Sequence, residues 1–495
     1  MDQGAAERIR SSTIDGRAIT PRFRQRQLAA LQASLVKSRH EILSAITNDT
    51  KRTKSEAEAQ YYIALQALKT LYLTLDPLKM IEEEYSLARS QSNPSKRGPY
   101  GCAYIVPSAE SPFYSAVIPV AAAIAAGNCV VLELQQNLSE LTSLLRKILP
   151  AALDRLTFAV VEEDVFDQDF KTRSCIVLDG RPKEDAVTTT RTIATPVSRV
   201  AAVVDRSANL QEAARECVRA RFAFGGESAY APDVVLVNEF KVREFCSAVA
   251  EAALSYLTTN IDSHSNGSAS PSQHVRQRAA GPSKELQQQL DDIAATVLAS
   301  GSQGTVALLP SSARSNKILL SKIREPVLLI HPVSSLDDAI DLLNSTSSQP
   351  LLAAHIFALP ESAKYLSQFL ASSISFVNGI PAELLVGPAA PLGFPLSIIP
   401  RYTPEMFSTA QPEHFAHSSD LSADVQSLLD GAGKKKLEKL HDISLPVIKE
   451  KVGPPVGFFE QGILVGLGLA LSMIVASTTV TVMYVYPAVM RRARS

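Results

Sequence analysis

Gly101-Cys-Ala-Tyr-Ile-Val-Pro-Ser-Ala-Glu-Ser-Pro-Phe-Tyr-Ser-Ala-Val-Ile-Pro-Val-Ala-Ala-Ala-Ile-Ala-Ala-Gly-Asn-Cys-Val-Val-Leu-Glu133 is the stretch whose reading decides the fold. Gly101 to Val106 is a short apolar run that stops at Pro107, as a buried strand does. Phe113 to Ala126 is apolar throughout and reads as a helix ending at Gly127-Asn128, after which Cys129 to Glu133 forms a second buried strand. The small side chains of Ala121 to Ala123, Ala125 and Ala126 let this helix lie close against a sheet. Strand, helix, strand in this order is a parallel βαβ unit of the kind that builds nucleotide-binding sheets.

Upstream, residues Ile19 to about Leu75 carry helical periodicity through Leu28, Leu31 and Leu35, then Ile42, Leu43 and Ile46, then Tyr62, Leu65, Leu68 and Leu71. Two amphipathic helices are expected there. Asn93 to Pro99 is turn-rich and reads as a link into the first strand. Downstream, a helical stretch around Leu141 to Leu156 precedes strands at Cys175 to Leu178 and Val200 to Val204, the pattern of a doubly wound α/β domain.

Arg221 to Val237 looks like a nucleophile loop feeding a strand. Gly225-Gly226 would let the backbone approach a ligand, Pro232-Asp233 would fix a turn, and Val234 to Val237 would be the core strand. A helix follows at Val242 to Leu257, and residues 258–282, rich in Ser, Asn, Gln and His, read as a disordered insertion. From Lys284 alternating elements resume, with strands at Leu328 to Ile330, Ala353 to Phe357 and Ser375 to Val377, and helices at Leu336 to Leu343 and Glu361 to Leu370. The expected organisation is a dinucleotide-binding-like domain over 1–205 with bridging strands near 85–106, and a catalytic-like domain over 206–377. A bridging C-terminal segment over 378–417, a polar helix and linker over 418–460 and a transmembrane helix over 462–486 complete it.

The chain has 495 residues, 46% hydrophobic and 20% charged, enough for two or three ordinary cores. A net charge of −1 excludes nucleic acid as a partner recruited by a global field. Lys434-Lys435-Lys436 reads as a solvated helix face or linker. Cys102, Cys129, Cys175, Cys217 and Cys246 are widely spaced, with no Cys-x-x-Cys pair and no His cluster, so reduced core thiols are expected and no metal site. No signal peptide is visible in Met1 to Arg26.

The far end differs in kind. Gln461 to Met490 contains no charged residue, and Gly462 to Tyr486 is long enough, at about 1.5 Å per residue, to cross a hydrocarbon core of about 30 Å. Tyr484 and Tyr486 would sit at one interface, with Arg491, Arg492 and Arg494 beyond them. The expectation is a single-pass C-terminal anchor with the bulk of the chain in the cytosol and the endoplasmic reticulum as the candidate membrane. Gly462 and Gly466 form a Gly-x-x-x-Gly unit that would permit close helix pairing.

Taken in order, these landmarks resemble the aldehyde dehydrogenase superfamily, in particular its class 3 branch, whose fatty-aldehyde members also end in a membrane helix. The resemblance spans about residues 10 to 410. It rests on Ser111-Pro-Phe-Tyr and the run through Ala-Ala-Gly-Asn-Cys-Val-Val-Leu-Glu133, on Ala231-Pro-Asp-Val-Val-Leu-Val237, on Pro326-Val-Leu and Ser334 to Asp341, on Phe376-Val-Asn378, and on Pro391-Leu-Gly-Phe with Arg401-Tyr402. It implies an aldehyde-dehydrogenase-like fold of two doubly wound α/β domains with a small bridging and oligomerisation element and a C-terminal membrane helix.

The chemistry implied by that family needs a thiolate nucleophile, a donor for the oxyanion, a carboxylate base and a bound NAD. The family's Gly-Gln-x-Cys becomes Gly226-Glu-Ser-Ala229, and a methyl group forms no thioester. The oxyanion-donor position aligns with Glu110 and the general-base position with Thr195. The cofactor clamps align with Glu133 and Gln136 at the adenine ribose and with Lys322 at the nicotinamide ribose, and the family's Gly-Ser loop has no counterpart, since Val177-Leu-Asp-Gly-Arg-Pro-Lys183 stands there instead. Ser228 as a substitute nucleophile lacks the glycine and histidine a nucleophile elbow needs, and Cys217 and Cys246 read as core thiols.

Two functions follow from the resemblance. The first is a membrane-anchored pseudoenzyme, without catalytic residues or a resident cofactor, acting in binding or scaffolding near lipophilic intermediates. The second is NAD-dependent oxidation of a hydrophobic aldehyde by a non-standard site. Partners on either reading are the membrane through Gly462 to Tyr486, a second copy in a homodimer, and other membrane enzymes.

Overall fold

The computed structural model describes residues 3–50, 52–108, 111–135, 137–162, 170, 174–178, 191–257, 282–301, 303–345, 349–416, 419–431, 438, 444–447, 458–480 and 483. The chain divides into two compact units, residues 1–415 and 416–495.

The first unit carries strands β1 (Arg97–Pro99), β2 (Cys102–Val106), β3 (Cys129–Glu133), β4 (Phe158–Val161), β5 (Cys175–Leu178), β6 (Thr192–Ala194) and β7 (Val200–Val204). Then come β8 (Val234–Asn238), β9 (Thr296–Gly301), β10 (Gly304–Leu308), β11 (Val327–Val333), β12 (Ala353–Phe357), β13 (Ser375–Val377) and β14 (Ser408–Ala410). Its helices are α1 (Gln3–Asp15), α2 (Pro21–Lys37), α3 (Arg39–Thr50), α4 (Lys54–Leu73), α5 (Pro77–Glu84), α6 (Pro112–Ala126) and α7 (Glu140–Ala152). They continue with α8 (Leu210–Phe222), α9 (Val242–Leu257), α10 (Lys284–Asp292), α11 (Leu336–Ser345) and α12 (Pro360–Phe369).

The βαβ unit forms as its sequence dictates. β2 and β3 are buried at every position, as strands of a parallel sheet covered on both faces must be. α6 connects them and ends at Gly127, whose φ of 95° is left-handed and where a Cβ would stand 2.9 Å from the Arg24 guanidinium. The sheet runs β4-β3-β2-β5-β6, all parallel. Its order reverses between β2 and β5, so the crevice beyond Val106 and Leu178 is a topological switch point, where open α/β sheets take ligands.

A second sheet runs β13-β12-β7-β8-β11-β10-β9, parallel except for the antiparallel β9–β10 pair. β8, fed by the Arg221 to Asp233 loop, lies between β7 and β11. β1 pairs antiparallel with β14, Arg97 opposite Ala410. The turn-rich link expected over Asn93 to Pro99 therefore ends in a strand. Its partner lies about 300 residues away in the chain, and Arg97 fixes the pairing by donating from Nε and Nη2 to the Ser408 hydroxyl and carbonyl at 2.9 and 2.7 Å.

The expectation of two leading helices is corrected to α2, α3 and α4 over that span, with α1 before and α5 after. A reciprocal capping box divides α3 from α4: Glu56 N–H donates to the Thr53 hydroxyl, and Thr53 N–H donates to the Glu56 carboxylate. α1 has a negative mean hydropathy and a single fully buried isoleucine, Ile9, so it leaves little periodic trace in the sequence.

The second unit has α13 (Asp420–Leu429) and α14 (Phe458–Val480). Glu460–Thr479, twenty residues of α14, is long and apolar enough to cross a membrane. α14 starts four residues before the expected span and is described to Val480. Tyr484, Tyr486 and the terminal arginines lie outside the described residues, as does the expected insertion apart from residue 282.

Candidate functional site

The loop between α8 and β8 is organised by a charge cluster. α8 ends at Phe222, after which Phe224, Gly225 and Gly226 take φ of 52°, 68° and 78°. A Cβ on Gly226 would lie 2.4 Å from the Glu325 carbonyl carbon, so this glycine admits the chain leading into β11 and not, as the sequence suggested, a ligand. The fully buried Arg221 donates through Nε to Val327 O at 3.0 Å, through Nη1 to Gly226 O and Ile323 O at 3.1 and 3.0 Å, and through Nη2 to Asp233 Oδ1 at 3.1 Å.

Asp233 does more than fix a turn. Its carboxylate also accepts from Val200 N at 2.8 Å, Ile323 N at 3.0 Å and Lys322 Nζ at 3.1 Å, tying the starts of β7 and β8 to the segment before β11. Each carboxylate oxygen thus accepts from two donors without solvent.

Ala229, Thr195 and Lys322 line one cleft, with Ser108, Glu227 and Arg324. Its volume of about 30 Å³ accommodates roughly two waters. Lys322 reaches across it, donating from Nζ to Ala229 O at 2.8 Å as well as to Asp233. Burial lowers the Lys322 pKa; Asp233 opposes that shift, and the Arg221 and Arg324 guanidiniums add to it.

No cysteine lines this cleft. Cys217 in α8 and Cys246 in α9 are buried, and burial pushes both thiols up, Cys246 to about 11. Ser228 is 5% exposed and lines a separate void of about 10 Å³ with Arg52, Ser111, Phe224 and Gly387; its hydroxyl has no partner among the described residues. Between void and cleft, Glu227 pairs with Arg52 at 3.0 Å, and the Arg52 guanidinium stands 5.4 Å from the Phe224 ring centre. Glu56, whose Oε2 is held in the cap, accepts through Oε1 from Phe224 N at 2.6 Å.

Tyr230 braces the far side of the loop. Its hydroxyl accepts from Ala390 N at 3.0 Å and its ring lies 5.0 Å from the buried Arg401 guanidinium, which donates to Pro388 O at 3.0 Å. His355 Nε2 meets Tyr230 O at 3.2 Å, and burial drives the His355 pKa down to about 4.

At the switch point, Glu133 ends β3. A carboxylate at the end of this strand is what dinucleotide folds set against ribose hydroxyls, but here it is 6% exposed and accepts from the Tyr104 hydroxyl at 2.7 Å. The turn from β2 into α6 contains no glycine, and α6 begins at Pro112, which has no N–H. Instead Ser115 knits that turn, donating to Ser111 O at 2.7 Å and accepting from Ser108 N at 3.1 Å. Glu110, Gln136 and residues 179–190 lie outside the described residues.

Sequence reasoning missed the Arg221–Asp233–Lys322 cluster and Arg52, and it also missed a groove. Ala59, Tyr62 and Ile63 of α4, Phe222 of α8, Tyr256 of α9 and Leu385 line a mostly apolar cavity of about 720 Å³. Ligand pockets have this size and lining. Five separate segments build it, Gln303 between β9 and β10 being the fifth, so no local motif announces it.

A family model described as "Aldehyde dehydrogenase family" matches residues 5–165 and 186–387. Aldehyde dehydrogenase family 3 member B3 of Mus musculus is 24% identical over 394 residues, 74% of this chain and 78% of that protein. Aldehyde dehydrogenase family 3 member A2 of Macaca fascicularis is 24% identical over 391 residues, 71% of this chain and 74% of that protein. Among solved structures, the substrate-bound state of Staphylococcus aureus AldH superposes with a TM-score of 0.67 at 16% identity, over 89% of this chain and 99% of that one. A NAD-dependent benzaldehyde dehydrogenase from Corynebacterium glutamicum gives 0.62 at 16%, over 84% and 88%.

Proposed function

This chain belongs to the aldehyde dehydrogenase family, and from that premise we propose that it is a membrane-anchored pseudoenzyme that binds or scaffolds near lipophilic intermediates. The observation that carries the reading is Lys322 bonded across the cleft to the Ala229 carbonyl and Asp233. A methyl group stands at the nucleophile position, and the neighbouring space is crossed by the Lys322 side chain, which is itself part of the fold's fastening.

The residues present do not fit NAD held in the family's manner. Glu133 stands where the resemblance puts a lysine, and its carboxylate is buried and engaged by Tyr104. The glycine-free turn before Pro112 offers no close backbone approach to a pyrophosphate. A cleft of about 30 Å³ leaves no room for a nicotinamide ring. No step of the proposed function runs through NAD.

Binding falls to the apolar groove, whose lining includes none of Ala229, Thr195, Glu133 and Lys322. Its volume of about 720 Å³ suits the body of a lipophilic molecule, and α14 would hold the protein where such molecules concentrate. On this reading the bulk of the chain is cytosolic, at the endoplasmic reticulum. The test is a pair of titrations on the full chain in detergent. A long-chain aldehyde or alcohol raises the melting temperature, and NAD at millimolar concentration does not. NADH production from hexadecanal would contradict the proposal.

A further inference from the structure

The cleft that lacks a thiol contains another nucleophile, a primary amine. Lys322 lines the same cleft as Ala229, with its side chain 12% exposed. The cleft opens to solvent past the exposed Val197 and Arg324.

The hydrogen bonding suits a neutral amine. Nζ has two described acceptors, Ala229 O at 2.8 Å and Asp233 Oδ2 at 3.1 Å. An ammonium has three N–H groups and a neutral amine two, so losing one proton leaves both bonds in place and frees a lone pair. The electrostatics agree. Asp233 is already neutralised by the fully buried Arg221, at 3.1 Å, and takes two backbone N–H groups besides. The Arg221–Asp233–Lys322 cluster therefore has zero net charge with a neutral Lys322 and +1 with an ammonium, and buried uncompensated charge is costly. The groups that act on Nζ, namely Asp233, Arg221, Arg324 and the desolvation of the site, together lower its pKa. A desolvated lysine beside other cations is how proteins activate this side chain toward carbonyls.

We propose that Lys322 captures aldehydes covalently and reversibly, as a Schiff base at Nζ formed in the cleft beside Ala229. The neutral amine attacks the carbonyl carbon, a C–N bond forms, and the carbonyl oxygen takes a proton to give a carbinolamine. Loss of the hydroxyl as water then leaves the imine. The balance is aldehyde plus amine giving imine plus water, with no oxidant and no cofactor. A cleft of about 30 Å³ admits the carbonyl end, and the rest of the molecule projects through the mouth. The inference rests on the pseudoenzyme reading, since an aldehyde that is not oxidised can be held.

The test uses the full chain in detergent with propanal, with and without NAD, followed by sodium borohydride and peptide mapping. The expected result is a propyl-amine adduct on Lys322 at about tenfold or more the occupancy of the exposed Lys79, independent of NAD. The Lys322→Arg variant loses it. Because the mapping is made on the wild-type chain, it does not depend on the variant folding. Labelling of Lys79 with Lys322 unmodified overturns the inference and leaves the pseudoenzyme reading in place. NADH formation overturns the pseudoenzyme reading, and the adduct map still decides the role of Lys322.

Discussion

Lys322 donates to the backbone carbonyl of Ala229 across 2.8 Å, so on the proposed reading the residue at the family's nicotinamide-ribose clamp is bonded to the one at its nucleophile position. Two changes that look independent in the chain meet at one hydrogen bond. Restoring the thiol alone should therefore not restore oxidation. The Ala229→Cys variant is expected to fold, to react with iodoacetamide, and to give no NADH from hexadecanal and NAD above the wild-type background.

The cluster around Asp233 holds three segments, and its two side-chain donors, Arg221 and Lys322, are unequal. Removing Arg221 leaves Asp233 only Lys322 and two backbone donors, and takes the guanidinium donor from the buried carbonyls of Gly226, Ile323 and Val327. Arg221→Met is expected to cost about 3–5 kcal/mol, as breaking a buried pair does. Lys322→Met leaves Asp233 its Arg221 and two backbone donors, and is expected to cost about 1–2 kcal/mol. Urea unfolding of the two variants beside wild type measures the difference; equal costs would contradict this division.

Gly226 is required by both conformation and space. Gly226→Ala would add a left-handed penalty at φ 78° and a Cβ 2.4 Å from the Glu325 carbonyl carbon, so a loss of about 2–5 kcal/mol is expected. A change below about 0.5 kcal/mol in urea unfolding would show that the 325–326 backbone moves aside freely.

His355 predicts acid sensitivity. Its folded pKa of about 4 lies below the unfolded value near 6.5, so between these the unfolded chain binds more protons. Its contribution is complete above about pH 6.5 and is lost as pH falls toward 4, about 1.4 kcal/mol per pH unit and about 3 kcal/mol in all. His355→Phe loses the bond to Tyr230 O and is less stable at pH 7, but its stability falls less steeply between pH 6 and 4.5. An unchanged slope would place the titration elsewhere.

Much of the fold is legible because its strands are short, continuous apolar runs. Cys129–Glu133, Cys175–Leu178, Val200–Val204, Ala353–Phe357 and Ser375–Val377 stand where the sequence puts them. α1 is not legible, for want of apolar periodicity; β1 falls within the bridging strands expected near 85–106, but its pairing is not legible because its partner, β14, lies far along the chain. The site divides the same way. Ala229 and Thr195 follow from counting along motifs, whereas the Arg221–Asp233–Lys322 cluster and the Arg52–Glu227 pair exist only once distant segments meet.

α14 supports anchoring through its apolar length alone. Deleting residues 458–495 is expected to move the protein from the carbonate-resistant membrane fraction to the soluble fraction. A truncated chain that stays in the pellet would show that another surface holds it there.

The most direct test of the central claim is a titration of NAD against the full chain in detergent, followed by thermal melting with hexadecanal present. The pseudoenzyme reading predicts no shift in melting temperature up to millimolar NAD and no NADH. A saturable rise in melting temperature with NADH formation would contradict it.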